Sequence, residues 1–298
     1  MITKIQYDNF ETGEFTEEKE RTLDETIQLI EAFPWEQQRK NLRVSPTNPS
    51  ITLQAPEGGF LKLALYYNGK FVLYFLDPAQ KLYAKSFFSY AETYPYIRKF
   101  IETQPFDPAN FIYQRTWPSH NLIHFTDKDF HYQLTDKKIL LYLLSTSGLN
   151  FVLTLFFTGL IFSPGVSFAL FLLLILPVAF LLGGGINLLL FANFYRYCRG
   201  KQLYISKGHD TFYYGAPESP EAFDKKNIAQ ATHYQARGSK NPVGFFSWVK
   251  IGFNDGRVLA IPNLLIDSTD LMNKLAGFPT RLIQTGFPFI PRDVSAPS

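Results

Sequence analysis

The feature that most constrains this chain is a long central block without a charged residue. Residues 139–194 contain no Asp, Glu, Lys or Arg, although charged residues make up 18% of the chain. A turn-forming Ser-Pro-Gly sequence at residues 163–165 divides the block into two apolar runs, 139–162 and 168–194. Each run exceeds the ~20 residues that a helix needs to cross a bilayer. The block therefore predicts a transmembrane helical hairpin, and an integral membrane protein.

The charges around this block predict its orientation. Cations precede the first run and follow the second, whereas the turn between the runs carries none. The positive-inside rule then predicts a multi-pass protein of the cell inner membrane with both termini in the cytoplasm. Aromatic and cationic residues next to the runs are expected at the membrane interface. These residues are Trp117, Lys137, Lys138, Tyr195, Arg196 and Arg199.

Two asparagines are the candidate polar contacts inside the runs. Asn150 and Asn187 are expected either to hydrogen-bond between helices or to line a conduction path. Ion and proton pathways usually contain ionisable residues at membrane depth, and these runs contain none. The sequence therefore favours contacts between helices.

The residues before the block predict a small α+β domain. Thr22 and Glu25 have the spacing of a capping box at the start of a helix. An Asn-Gly pair at residues 68–69, between two apolar runs, predicts a β-hairpin. The predicted element order is β-α-β-β-β-α over residues 1–115, followed by a juxtamembrane connector at 116–138.

The residues after the block predict a β-rich domain that ends in a helix. An Asn-Asp-Gly sequence at residues 254–256 predicts the turn of the last hairpin. Asp267 is the predicted N-cap of the closing helix. This domain is expected over residues 195–280, and the proline-containing residues 281–298 are expected to form a flexible tail.

The C-terminal pattern resembles a known family. The aromatic strand and turn at residues 248–257, the strand end at 261–266 and the helix after it resemble the PH-like domain of bacterial two-span membrane proteins of the YcxB type. The resemblance implies that the C-terminal β-rich domain is PH-like and ends in a capping helix. With the elements predicted above, the expected fold class is α+β, with a two-helix transmembrane hairpin between an N-terminal α+β domain and this C-terminal PH-like domain. The resemblance implies no catalytic residues, because PH-like folds bind lipids, peptides or proteins through variable loops.

The N-terminal part resembles a second group of proteins. Its element order and the apolar sequence at residues 60–75 resemble small bacterial immunity proteins, which neutralise the toxin of a neighbour. Residues 11–25 are rich in Asp and Glu, which would suit recognition of a basic toxin site. The alternative is that this acidic run is a solvated surface.

Five cations of the C-terminal domain are the predicted lipid- or partner-binding residues. The residues after the block contain 13 Lys and Arg against eight Asp and Glu. If the cations cluster, they form a patch that attracts anionic headgroups or an acidic partner. The alternative is dispersed charges that only aid solubility. The five residues are Lys225, Lys226, Arg237, Lys240 and Lys250.

Motifs of catalytic and metal sites are missing from the sequence. It contains no Gly-rich phosphate loop, no nucleophile elbow and no His-Glu-x-x-His sequence, and its single Cys excludes a Cys-rich zinc site. His120 and His124 have the spacing of a zinc-binding pair, but Pro118 disfavours the regular helix that such a pair needs. Asp210 beside His209 is typical of a polar turn.

We therefore expect a non-catalytic binding or regulatory protein without a cofactor or a metal. Its expected partners are the lipid bilayer and an unidentified protein, and a homo-oligomer stays open. The alternative is a membrane-anchored immunity protein that neutralises a cognate toxin. Nucleic acid is not an expected partner, because the basic excess is small and is not gathered into dense Lys and Arg clusters.

Overall fold

The computed structural model describes residues 1–42, 46–103, 105–115, 121–143, 156, 185–238, 243–292 and 294. The chain divides into two compact units. The first comprises Met1–Asp129 with Ser206–Gly208, and the second comprises Phe130–Ile205 with His209–Ser298. Each unit has buried apolar clusters of its own.

The first unit is built on a seven-stranded antiparallel sheet. The spatial order of its strands is β2-β1-β3-β4-β5-β6-β7. They are β1 (Ile2–Gln6), β2 (Thr16–Glu20), β3 (Ser50–Gln54), β4 (Phe60–Leu65), β5 (Phe71–Leu76), β6 (Leu82–Phe87) and β7 (Ile112–Gln114). Every residue of β4 and β5 is buried, because both faces of the sheet are covered at its centre.

Alternating side chains of the central strands supply a different apolar cluster on each face. Leu63 and Leu73 belong to one cluster, whereas Ala64 and Val72 belong to the other, as the two-residue period of a strand requires. Helices α1 (Leu23–Ala32) and α2 (Tyr94–Glu102) cover the first cluster with their apolar sides. Phe125 covers the second.

Two local predictions for this unit are confirmed. The side chain of Thr22 accepts a hydrogen bond from the backbone N–H of Glu25, and the Glu25 carboxylate accepts one from the backbone N–H of Thr22. Asn68 and Gly69 join β4 to β5, and both have positive φ, at 55° and 73°. Positive φ at both central residues is what a tight two-residue hairpin turn requires.

In its described residues the second unit contains two four-stranded sheets and three α-helices. The strand orders are β11-β10-β9-β8 and β14-β13-β12-β15. The strands are β8 (His131–Gln133), β9 (Gln202–Tyr204), β10 (Thr211–Ala216), β11 (Ser219–Asp224), β12 (Ile228–Ala236), β13 (Ser247–Phe253), β14 (Val258–Pro262) and β15 (Thr280–Thr285). The helices are α3 (Asp136–Leu143), α4 (Gly185–Cys198) and α5 (Ser268–Lys274).

The closing elements of this unit agree with the predicted turn and cap. Gly256 has φ 85° and donates its N–H to the carbonyl of Phe253, which closes the turn between β13 and β14. The Asp267 carboxylate accepts hydrogen bonds from the backbone N–H groups of Thr269 and Asp270 at the start of α5. Both predictions are confirmed. Beyond α5, β15 pairs in parallel with β12, within the residues expected to form a tail.

The transmembrane hairpin predicted for residues 139–194 is wrong, and so are the multi-pass topology and the inner-membrane localisation derived from it. Among the helices in the described ranges, none is both long and apolar enough to cross a membrane. Of this block the structure describes residues 139–143, Phe156 and 185–194. The longer of its two helices, α4, has 14 residues. At 1.5 Å per residue it spans about 21 Å, against ~30 Å of hydrocarbon.

One side of α4 belongs to a protein core. Buried side chains of this helix join one cluster with the strands of the second unit, and they include Leu190, Phe194, Tyr197 and Cys198. Asn193, in the same helix, donates from Nδ2 to the carbonyl oxygen of Ile290 at 3.1 Å and accepts from the N–H of Ile290 at 2.9 Å. A run of apolar residues does not by itself distinguish cover by lipid from cover by protein, which is why the prediction failed.

Candidate functional site

A cleft of about 430 Å³ opens on the first unit beside the end of α1. Three separate segments line it: residues 31–39 after and within α1, the turn and start of β5 at residues 69–71, and residues 88–90 before α2. Pro34 cannot continue a helix, so α1 ends at Ala32 and its C-cap residue Phe33 is extended. This end of α1 places Phe33 and Trp35 against the sheet. We name this cavity, with Phe33, Trp35, Arg39, Phe71, Phe88 and Tyr90 in its wall, the aromatic cleft.

Aromatic rings form most of the wall of the aromatic cleft. The ring centroid of Trp35 lies 4.4 Å from that of Phe33 and 5.3 Å from that of Phe71. The Trp35 indole N–H donates to the carbonyl oxygen of Ile30 at 2.7 Å, which holds the ring in place. Phe88, at the rim, is 76% exposed. The cleft therefore combines a rigid apolar floor with a solvent-facing aromatic edge.

Arg39 is the cationic group of the aromatic cleft. Its Nε donates to both carboxylate oxygens of Glu36, at 2.9 and 3.0 Å, and its Nη2 donates to the carbonyl oxygen of Gly69 at 3.2 Å. The guanidinium carbon lies 5.0 Å from the ring centroid of Phe71. Nη1 is buried and has no hydrogen-bond partner within the described part of the chain. The contacts with Glu36, Gly69 and Phe71 hold the guanidinium in the wall of the cleft.

A second cleft, of about 670 Å³, lies in the second unit where β12 and β15 end. Gln235, Arg237 and Gln284 line it with polar side chains, and Phe245, which is 62% exposed, lies at its edge. The backbone N–H of Arg237 donates to the carbonyl oxygen of Thr285 at 2.7 Å and extends the pairing of β12 with β15. The structure thus places one of the five predicted cations at a cavity.

The remaining predicted cations lie in other places. Lys225 is only 3% exposed. The Nζ of Lys226 pairs with Oδ2 of Asp210 at 2.5 Å, and the hydrogen bond from Lys226 holds the pKa of that carboxyl below its usual value. Lys250 is half-buried on β13, and Lys240 lies outside the described residues.

The length of β12 separates the predicted cations. Lys225 and Lys226 precede this strand and Arg237 follows it. From Ile228 to Ala236 the strand extends roughly 26 Å at about 3.3 Å per residue. These three cations therefore do not form one patch, and Asp210, named beside His209 as a polar turn, is engaged in an ion pair.

The residues expected at a membrane interface lie around α3 and α4. Lys138 donates from Nζ to the carbonyl oxygens of Gln133 and Leu265, both at 3.1 Å, and burial lowers the pKa of its amine. Asn187 is buried within α4. Trp117 and Asn150 lie outside the described residues. Lys137, Arg196 and Arg199 are exposed, and Tyr195 is half-buried.

His124 and His131 make local contacts within their units. Nδ1 of His124 lies 2.7 Å from Oγ1 of Thr47 in the first unit, and His120 lies outside the described residues. In the second unit His131 stacks on Tyr204, with ring centroids 4.2 Å apart. Within the described ranges no three His, Cys, Asp or Glu side chains are grouped to hold a metal. Burial raises the pKa of the Cys198 thiol to about 12, which leaves it protonated and unreactive at neutral pH.

Two buried lysines of the first unit escaped the sequence analysis. The Nζ of Lys62 donates to Oε1 of Gln6 at 2.8 Å and to the carbonyl oxygen of His124 at 2.9 Å. Burial, with a contribution from the nearby charge of Lys4, lowers the pKa of Lys62 well below its usual value. A neutral amine is nucleophilic, but the side chain of Lys62 is 0% exposed and no substrate can reach it. Its role is therefore structural.

The aromatic cleft was also missed, although the sequence contains a signal for part of it. Phe33, Pro34 and Trp35 follow directly on a capped helix, which places two large aromatic side chains at a forced turn. Nothing local connects this turn with Gly69 or the segment at 88–90. The cleft exists because the tertiary fold brings these segments together.

Comparison with known proteins gives one family match. A family model described as a PH domain matches residues 131–274. A PH-like domain is therefore present there, and the C-terminal resemblance is confirmed. The matched range begins at β8, which pairs with β9, and the apolar block lies between these two strands in the sequence. The comparison shows neither the resemblance to two-span membrane proteins nor that to immunity proteins. No curated protein and no solved structure matches the chain.

Proposed function

We propose that this chain is a non-catalytic binding protein, and that its aromatic cleft holds an apolar side chain of a partner protein. A carboxylate of the same partner pairs with the positive charge of the Arg39 guanidinium. The observation that carries this proposal is an open cavity whose wall combines aromatic rings with the guanidinium of Arg39.

The size and lining of the aromatic cleft support this function. Its volume of about 430 Å³ lies within the range of roughly 300–1,000 Å³ that is typical of ligand sites. Trp, Tyr and Arg are the residues that most often carry the binding energy of protein interfaces, and all three occur here as Trp35, Tyr90 and Arg39. The Nζ of Lys70 lies 4.8 Å from the ring centroid of Phe88 at the rim and adds a second cation.

The polar groups of the aromatic cleft support binding in preference to catalysis. Ser89 accepts a hydrogen bond from the backbone N–H of Ala91 at 3.2 Å, so its hydroxyl caps a turn. No histidine occurs among the described residues that line the cleft. A nucleophile with a positioned base, which covalent catalysis requires, is therefore not assembled at this cavity.

Peptide display on the full-length chain tests the proposal. We expect selected peptides to share an aromatic or aliphatic anchor next to an acidic residue or a terminal carboxylate. In fluorescence polarisation, Arg39→Gln is expected to weaken their binding roughly tenfold or more, because the charged donor is lost. Phe88→Ala is expected to weaken it through lost apolar contact at the rim.

The matched control is Arg98→Gln, which removes the same charge from an exposed position on α2 outside the cleft. It should bind the peptides like the unaltered chain. If selected peptides bind equally well to Arg39→Gln, Phe88→Ala and the control, the aromatic cleft is not the binding site. Circular dichroism melts establish that each variant is folded.

A second candidate function is neutralisation of a basic toxin by the first unit. Exposed acidic side chains follow one another along β2 and the start of α1: Glu17, Glu18, Glu20, Asp24 and Glu25. Such a surface favours a cationic partner. Co-expression with a toxin encoded beside this gene tests it. Glu18→Lys with Glu20→Lys should abolish protection, and protection that survives both changes rules out this surface.

A further inference from the structure

Among the described residues the three sheets end in six edge strands, which are β2, β7, β8, β11, β14 and β15. An exposed strand edge presents unpaired N–H and C=O groups to any other extended chain. Proteins prevent such pairing with charged side chains, proline, bulges or very short strands. The six edges of this chain differ in whether they carry these features.

Five of the edges are protected. β2 is dense in charge, with Glu17, Glu18, Lys19 and Glu20, and its pairing with β1 contains a register shift. β7 and β8 have three residues each. β11 contains Pro220, and β14 ends at Pro262.

β15 lacks these protections. Its six residues, Thr-Arg-Leu-Ile-Gln-Thr, contain no proline and a single charge, on Arg281. This composition favours a β-strand, because Thr and Ile are β-branched. Leu282 is 56% exposed although it is apolar. Among the described strands only β12 pairs with β15, which leaves its other edge open.

The backbone bonds to β12 identify which groups of β15 point outward. The N–H of Ala231 donates to the carbonyl of Pro279, and the N–H of Arg237 donates to the carbonyl of Thr285. The odd-numbered residues of β15 therefore direct their N–H and C=O groups toward β12. The direction of the backbone N–H and C=O groups alternates from one residue of a strand to the next, so those of residues 280, 282 and 284 point to the open edge.

We propose that the open edge of β15 pairs antiparallel with β15 of a second copy of this chain, about a two-fold axis at Leu282. The outward residues are symmetric about this position, so Leu282 faces Leu282 of the second copy and Thr280 faces Gln284. Each facing pair exchanges two N–H···O bonds, which gives about six hydrogen bonds across the junction. The two four-stranded sheets then form one continuous sheet.

The side chains of β15 suit a second copy. A two-fold interface requires a surface that is complementary to itself. In the proposed register Arg281 lies opposite Ile283, so the only charge of the strand does not meet itself. The exposed side chain of Leu282 is covered by its own symmetry mate. Like charges directly opposite each other would destabilise the pair, and this register contains none.

Disulfide trapping of the full-length chain tests the register. Facing residues of a hydrogen-bonded antiparallel pair have Cα atoms about 5.5 Å apart, within the range that a disulfide can bridge. Leu282→Cys should form a disulfide-linked dimer on mild oxidation. Thr280→Cys is the matched control, because Thr280 faces Gln284 and should not link to itself. The natural Cys198 is buried, so the unaltered chain should stay unlinked.

A second pair of variants separates backbone pairing from side-chain contact. The N–H of Leu282 points away from β12, so Leu282→Pro deletes two symmetry-related bonds of the junction, one from each copy, without deleting one of the sheet. We expect sedimentation to show a dimer dissociation constant at least about tenfold higher for Leu282→Pro than for Leu282→Ala, which keeps the N–H. Three results would overturn the proposal: equal linking of the two Cys variants, no linking of Leu282→Cys, or folded Leu282→Pro that dimerises like Leu282→Ala.

Discussion

The amine of Lys62 is enclosed in the first unit, where it donates to Gln6 and to the carbonyl of His124. The Nζ of Lys4, also buried, pairs with Asp127 at 2.5 Å, and the ring of Phe15 lies 4.4 Å from it. Water is therefore replaced around both amines by a few fixed oxygen atoms and an aromatic ring. For Lys62 these acceptors are uncharged, so burial disfavours the ionised amine relative to the same amine in water.

Replacing Lys62 with Met tests this cost of ionisation. The pKa of Lys62 is lowered in the folded chain, so the unfolded chain holds more protons between that lowered pKa and the ordinary value of 10.5. The free energy of unfolding of the natural chain should therefore rise with pH across this window, by up to about 1.4 kcal/mol per pH unit. Lys62→Met should lose this rise, and urea unfolding at a series of pH values measures it.

The loss of two hydrogen bonds adds a cost to Lys62→Met that does not depend on pH, so the slope is the informative quantity. Lys81→Met, at an exposed position of the same unit, is the control and should keep the slope of the natural chain. A slope for Lys62→Met equal to that of the control would show that Lys62 is charged in the folded state.

At the scale of elements, helix starts and tight turns depend on a few neighbouring residues. Thr22 and Glu25 exchange hydrogen bonds at the start of α1. The bond that the Glu25 carboxylate accepts from the backbone N–H of Thr22 lowers the pKa of that carboxyl most, and the side chain of Thr22 lowers it further. The end of α1 then sets the position of Phe33 and Trp35 in the aromatic cleft. A change at the start of the helix is thus expected to affect stability and to leave the cleft in place.

Thr22→Ala should lower the free energy of unfolding by about 1 kcal/mol, because the N-cap side chain no longer accepts a backbone hydrogen bond. Thermal unfolding followed by circular dichroism measures this change. Thr103→Ala, at the C-cap of α2, removes the same hydroxyl from an exposed position and should have a much smaller effect. Equal effects of the two substitutions would contradict a specific role of the capping box.

At the scale of the whole molecule, the order of each unit depends on contacts between distant parts of the chain. Asn193 of α4 exchanges two hydrogen bonds with the backbone of Ile290, and Tyr197 donates its hydroxyl to the carbonyl of Pro291 at 2.7 Å. Ile290 is buried by this arrangement. The amide of Asn193 thus binds the segment after β15 in the way that a neighbouring strand would.

Asn193→Ala should destabilise the second unit by about 1–3 kcal/mol, because it leaves the N–H and the carbonyl of Ile290 without partners. Limited proteolysis should cut the segment around residues 286–292 faster in this variant. Asn273→Ala, an exposed change on α5, is the control. Resistance to proteolysis equal to that of the control would mean that these bonds do not hold the segment.

Much of the local structure was predictable from the sequence. The capping box at Thr22, the turns at residues 68–69 and 254–256, the cap at Asp267 and the PH-like character of the C-terminal part were all confirmed. These signals depend on backbone atoms a few residues apart, or on a strand pattern that many PH-like domains share.

Long-range contacts decided the rest. Whether the apolar residues of α4 meet lipid or protein, whether Lys225 and Lys62 are exposed, and whether Arg39 meets Gly69 and Phe71 depend on residues far away in the sequence. The parallel pairing of β15 with β12 joins segments separated by β13, β14 and α5. The charge and hydropathy of a side chain indicate the free-energy cost of burying it, but only the tertiary structure determines which residues cover it.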